Sequence, residues 1–239
     1  MDASKVRLFV EHPLGPGQSV PLSRDQAHYL FNVMRLRSGN GVELFNGRDG
    51  AWLAEVAEAG KKTGVLVCRE QRAPQQDPPD LWLLFAPIKK ARTDFIVEKA
   101  TELGTARICP VITEHTNSER VRVERLQAHA VEAAEQCGGT FVPPVDAPRK
   151  LRAMLDDWPA DRQLLFCDEG QVGTEPRLSG DGKKWAILIG PEGGFSEAER
   201  SWLKNSPFVT QIGLGPRILR ADTAAVAAIV LWQNALGDW

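Results

Sequence analysis

A chain of 239 residues, 43% of them hydrophobic, carries enough apolar side chain for one large core or two modest ones. Its net charge of −2 gives no global sign of a nucleic-acid partner, and no apolar run approaches the ~20 residues of a membrane span. The start, MDASKVRLFVEHP, lacks an apolar leader core, so secretion is not expected and a soluble cytoplasmic protein is.

The first 72 residues read as short strands at 7–10, 42–45, 52–56 and 65–68, parted by turn signals such as Asn46-Gly47 and Asp49-Gly50. A helix over 24–34, opened by Ser23, interrupts them. The expectation is a small β-barrel-like module. APQQDPPD (73–80) follows, with three prolines and no large apolar side chain, and reads as a linker. From 81 to 239 the pattern changes to strand and helix in alternation. Strands are expected at 81–88, 107–112, 164–167, 185–189 and 208–214. Helices are expected at 93–103, stopped by Gly104, and at 120–137, stopped by Gly138-Gly139, then at 150–158, 196–205 and 223–236. Such an order implies a mainly parallel sheet covered on both faces, with ligands at the carboxyl ends of its strands.

Three of those strand ends carry unusual loops. The first is LIGPEGGFSEAE (188–199): Gly190, Pro191, Glu192, Gly193 and Gly194 link a strand to a helix that Ser196 and Glu199 open as a capping box. The loop is neither a dinucleotide fingerprint nor a phosphate-binding P-loop, since no Lys-Ser/Thr follows. A structural turn rich in positive φ explains it as well as a ligand-hugging backbone does. The second is LGPRILRADTA (214–224), where Leu214 and Gly215 begin a Gly-Pro turn and Arg217 and Arg220 precede an alanine-rich helix. The third is Phe166-Cys167-Asp168-Glu169. All three are placed where they can meet in one pocket.

Other polar clusters are ambiguous or plain. Asp94, Glu98 and Glu102 fit either an acid pair or a solvated, ion-paired helix face. Glu135 stands near a helix C-terminus, unfavourable against the macrodipole, so a specific partner is expected. The four histidines show no metal-ligand spacing and no metal site is expected. No serine sits in a hydrolase elbow. The scattered Cys68, Cys109, Cys137 and Cys167 read as buried free thiols.

GPEGGFSEAE, LGPRILRADTAA, KATELG (99–104) and EAAEQCG (132–138), together with His28 and VMRLRSG (33–39), resemble the ribosomal RNA small-subunit methyltransferase E family. The resemblance spans most of the chain. It implies an α/β protein with a small N-terminal PUA-like β-barrel (1–72) for RNA, then a SPOUT methyltransferase domain (81–239) with a C-terminal trefoil knot. Nothing in the chain's own pattern proposes a knot. The resemblance also implies a homodimer, and transfer of a methyl group from S-adenosylmethionine to N3 of the uridine at position 1498, in the usual rRNA numbering, of 16S rRNA in the small ribosomal subunit. Against the family's pattern, Gly139 stands where Arg is common and Asp222 where Glu is more usual.

On that basis the cofactor pocket is expected from Gly190, Pro191, Glu192, Gly193, Gly194, Leu214, Gly215, Ile218 and Leu219. The uridine imide must lose its N3 proton, to a carboxylate or water, so Glu192 and Asp222 are candidate bases and Arg220 the candidate partner of a uracil carbonyl. Arg7, Arg24, Arg35, Arg37, Lys89, Lys90 and Arg92 are the expected phosphate contacts. A non-catalytic RNA-binding assembly factor, or a knotted methyltransferase of another RNA position, remains as an alternative.

Overall fold

The computed structural model describes residues 6–117, 121–168, 170, 178 and 184–239, so Glu169 and the start of the helix expected at 120 lie outside the described residues. Internal contacts divide the chain into two units, Met1–Asp77 with Ala134–Val142, and Pro78–Ala133 with Pro143–Trp239.

The first unit holds β1 (Arg7–Phe9), β2 (Ser19–Pro21), α1 (Arg24–His28), β3 (Gly41–Phe45), β4 (Ala51–Ala59) and β5 (Gly64–Ala73). They form one sheet in the order β1-β3-β4-β5-β2, antiparallel except for β1 against β3. Register shifts along the β4–β5 pair bend the strands, and the sheet curls around Val20, Leu30, Val42, Leu44, Val56 and Leu66, all buried. The expected barrel-like module is thus a curled sheet. β2 was not expected, because three residues ending at a proline offer no alternation to read. Ser23 caps α1 as expected: its hydroxyl accepts from the Gln26 N–H while the Gln26 side chain accepts from the Ser23 N–H. Beyond His28 the helix widens into a π-helical turn, Tyr29–Val33.

The second unit holds β6 (Leu81–Phe85), α2 (Lys90–Glu102), β7 (Arg107–Ile112), α3 (Val123–Cys137), β8 (Arg149–Lys150), α4 (Leu151–Asp156), β9 (Arg162–Cys167), β10 (Lys184–Ile189), α5 (Glu197–Lys204), β11 (Val209–Ile212) and α6 (Ala221–Leu236). The last turn of α3 falls in the first unit. All six strands run parallel, in the order β11-β9-β10-β6-β7-β8. Central strands such as β10 are buried along nearly their whole length, as a sheet covered on both faces requires. Helix α2 stops at Gly104, whose φ of +75° suits glycine, and the Gln233 side chain donates to the freed Leu103 carbonyl at 2.7 Å. The helix expected over 150–158 is shorter, because Arg149 and Lys150 pair with Val111 and Ile112.

Two expectations about charged residues change. Arg7 does not face solvent for a phosphate. Its guanidinium pairs with Glu43 at 2.7 Å, lies over the Phe45 ring and donates to the carbonyls of Ala134, Glu135 and Gly139. The first two of those carbonyls lie in the last turn of α3 and the third just beyond it, at the negative end of the helix dipole, where a cation is favoured. Glu135 does have a partner, accepting from the Phe9 N–H at 2.9 Å. Asp94, Glu98 and Glu102 form no acid pair. Asp94 pairs with Arg125 and Glu102 with Lys99, while Glu98 lies 3.1 Å from His129. All four cysteines are free, but only Cys68 and Cys109 are buried and Cys137 is exposed. No helix among the described residues is long and apolar enough to cross a membrane.

Candidate active site

Strand order decides where a ligand can enter the second unit. β6 leads through α2 to β7 on one side, and its neighbour β10 leads through α5 towards β11 on the other. Connections that diverge from adjacent parallel strands leave a crevice beyond their carboxyl ends. A cavity of about 350 Å³ opens there. Gly190, Pro191, Glu192 and Gly194 line it from the loop after β10, and Leu214, Gly215, Ile218, Leu219 and Arg220 from the loop after β11. Cys167 and Asp168 reach it from the end of β9, so the three unusual strand ends do converge. Gly193 is not part of the lining.

The glycine loop is shaped by packing and by two tethers. A Cβ on Gly190 would stand 2.6 Å from the ring of Phe195, which is buried edge-on against Phe166. Gly194, at φ +65°, closes a turn by donating to the Pro191 carbonyl at 2.9 Å. The helix that follows is capped as expected: Ser196 accepts from the Glu199 N–H and Glu199 accepts from the Ser196 N–H. The other oxygen of Glu199 accepts from the Glu114 N–H at 3.0 Å, and His115 Nδ1 lies 3.1 Å from the Gly193 carbonyl. The loop after β7 therefore buttresses the one after β10.

Charge is ordered around the cavity. Arg92, in the first turn of α2, pairs with Glu192 at 2.6 Å and stands 3.6 Å from Asp222. One guanidinium so joins the two candidate bases. Glu192 is the more open of them, with 46% of its side chain exposed against 20% for Asp222. Asp222 also accepts from the Thr223 N–H. Arg220 is exposed at the head of α6. The Asp168 side chain is fully buried, paired with Arg200 and with Lys204 at 3.2 Å. Arg200 also donates from Nε to the Phe195 carbonyl, which ties β9's end to the glycine loop. Although Cys167 is only half-buried as a residue, withdrawal of its sulfur from water pushes the thiol well above its ordinary range.

Residues 75–233 match the family described as RNA methyltransferase domain, and residues 22–67 match one described as RNA methyltransferase PUA domain. A curated relative from Rickettsia conorii, ribosomal RNA small subunit methyltransferase E, is 31% identical over 93% of each chain. The chain belongs to the ribosomal RNA small subunit methyltransferase E family. Another member, from Synechocystis, is 31% identical over 88% of this chain and 71% of its own. Among solved structures, the Neisseria gonorrhoeae family member bound to S-adenosyl methionine superposes with a TM-score of 0.85, at 30% identity over 98% of this chain and 99% of that one. A Legionella pneumophila structure in complex with the bound cofactor gives 0.87 at 27% identity, over 99% and 100%.

Within this family fold, nearly all the residues expected to hold a cofactor stand around one cavity, and the candidate bases stand beside it. Arg24, Arg35 and Arg37 are exposed on the first unit, and Lys89 and Lys90 are exposed on the second, at the head of α2. Arg92 was expected on a phosphate and instead holds both carboxylates. Its place at the site was missed, as were His115, Arg200 and Lys204. The only local signal for Arg92 was a cation in the first turn of one helix and an acid, Asp222, in the first turn of another.

Proposed function

We propose that the protein transfers a methyl group from S-adenosylmethionine to N3 of that one uridine in 16S rRNA of the small ribosomal subunit, in the cytoplasm. The observation that carries this reading is the switch-point cavity, walled by two Gly-Pro loops and edged by the Arg92–Glu192–Asp222 cluster. Family membership and relatives crystallised with the cofactor support it.

The pocket suits such a ligand. Its volume lies in the ~300–1,000 Å³ range of small-molecule sites. The bare backbone at Gly190 and Gly215 lets main-chain N–H and C=O groups approach a polar ligand, and Leu214, Ile218 and Leu219 give a ring an apolar wall. When bound, S-adenosylmethionine supplies a methyl group on a cationic sulfur. The chain's part is chiefly alignment of donor and acceptor, which the tethered loops provide. Glu192, or Asp222 behind it, takes the N3 proton, and Arg92 holds the two in place. Arg220 donates to a uracil carbonyl as negative charge spreads onto it. Reaching N3 requires the base out of its stack.

The same reading carries a C-terminal trefoil knot and a homodimer. Helix α6 is apolar on nearly every side, yet Val226 and Val230 are only half-buried, which suits a second copy covering them. Sedimentation at micromolar concentration should show a dimer. The deciding experiment is deletion of the gene followed by nucleoside analysis of 16S rRNA. N3-methyluridine should vanish and return with the wild-type gene; its persistence would refute the substrate assignment.

A further inference from the structure

The arginines of the first unit fall into two groups. Arg7, Arg48, Arg69 and Arg72 are each held by a carboxylate or carbonyl. Arg24, Arg35 and Arg37 make no side-chain hydrogen bond or ion pair among the described residues. These three bracket the π-helical turn, and the only carboxylate in the stretch 24–40 is Asp25. Between them Tyr29, Val33 and Met34 are exposed at 39%, 58% and 39%, half of the large hydrophobic side chains exposed among the described residues. The Met34 N–H donates to the Tyr29 carbonyl, the i→i+5 bond of a π-helical turn, so Val33 and Met34 stand one turn on from Tyr29.

Arg35 adds an independent observation. At φ +58° it is the single non-glycine described residue in the left-handed region, at the helix end where Leu36 bonds back to Leu30. Glycine is usual there, and an L side chain strains the backbone. The side chain has no partner among the described residues, so no contact there offsets the strain. Strain held without an internal return points to recognition.

We propose that this face takes an unpaired nucleotide of the RNA substrate, its base stacked on Tyr29 against Met34, its flanking phosphates on Arg24, Arg35 and Arg37. The inference rests on the RNA methyltransferase reading and names a contact of its substrate. An exposed aromatic ring flanked in the chain by unpaired guanidiniums offers what a base and its phosphates require, and stacking accepts any base.

The test uses the full chain in a methylation assay on unmethylated small ribosomal subunits, and anisotropy with a labelled single-stranded oligouridylate. Tyr29→Ala should raise KM for the subunits about tenfold, leaving kcat and S-adenosylmethionine affinity unchanged, and weaken oligouridylate binding in parallel. Tyr29→Phe should behave as wild type. Arg35→Gly should weaken RNA binding while Tm stays level or rises by up to about 3 °C, because strain is relieved. An unchanged KM for Tyr29→Ala overturns the proposal. So does a loss in Tyr29→Phe equal to that in Tyr29→Ala, or a loss confined to whole subunits while oligouridylate still binds normally, which would mark a protein-binding face. If oligouridylate binds through Tyr29 but the wild type methylates no rRNA, the stacking face stands and the reading under it falls.

Discussion

At Gly190 a single hydrogen stands where any larger group would press on a buried ring, so the residue is set by Phe195 as much as by a ligand. Gly190→Ala should cost about 1–3 kcal/mol of stability and lower S-adenosylmethionine affinity with it, read by thermal unfolding and calorimetry; an unaltered Tm would show that the loop yields freely. Arg92→Met keeps much of the side chain's length but removes the cation between Glu192 and Asp222. Methylation should fall at least tenfold with cofactor binding changed by no more than a few-fold; equal losses in both would assign Arg92 to the pocket wall instead. Arg220→Ala should likewise keep cofactor binding while the methylation rate drops strongly, and unchanged turnover would reduce Arg220 to a surface charge. That Glu192, Arg220 and Asp222 stand around one cavity was legible because they sit in or beside the two Gly-Pro loops. Arg92 was not, since its carboxylate partner lies 100 residues away and no local rule joins them.

Elements with strong local signals were read closely. β7 was placed at its observed bounds, and both serine-capped helices begin where Ser23 and Ser196 put them. The cap of α5 is more than local, because Glu199 also holds the loop after β7. Ser196→Ala should cost about 1 kcal/mol, visible as a lower urea midpoint at constant m-value, and Glu199→Ala should cost more because it releases two loops. The turn after β3 is pinned by Asp49, which accepts from the Leu14 N–H and from Asn46, and these bonds hold its carboxyl below the usual range. A depressed folded-state value means its contribution is complete above the unfolded value near 3.8 and fades as pH falls through the folded one. Asp49→Asn should therefore destabilise the protein near neutral pH, and the gap to wild type should shrink as pH falls below 3.8 and through the folded value; a gap independent of pH would mean the charge is irrelevant. What escaped reading at this scale were β2, β8 and the π-helical turn, each too short for a period to show.

For the molecule as a whole, the switch from short strands to strand–helix alternation reads as two parts, with the linker-like prolines between them. Contacts divide the chain close by, at Asp77, but they also draw Ala134–Val142 into the first unit. Chain order alone could not show that, because the ties are Arg7 to the end of α3 and Phe9 to Glu135. If the cavity holds S-adenosylmethionine, ligand at a hundredfold its Kd should add about 2.7 kcal/mol to the second unit's stability, seen as a raised melting transition in calorimetry. No shift at that concentration would remove the cofactor assignment.

Local chemistry in the sequence determined most elements, the parallel character of the second sheet and the family, because turns, caps and apolar periods act within a few residues and motifs preserve their order. The tertiary structure alone decided the strand order, hence the switch point between β6 and β10, the pairing of Arg92 with both carboxylates, and the internal use of Arg7. Those depend on contacts between residues far apart in the chain, whose partners are chosen by how strands cross over and pack rather than by any neighbour in sequence.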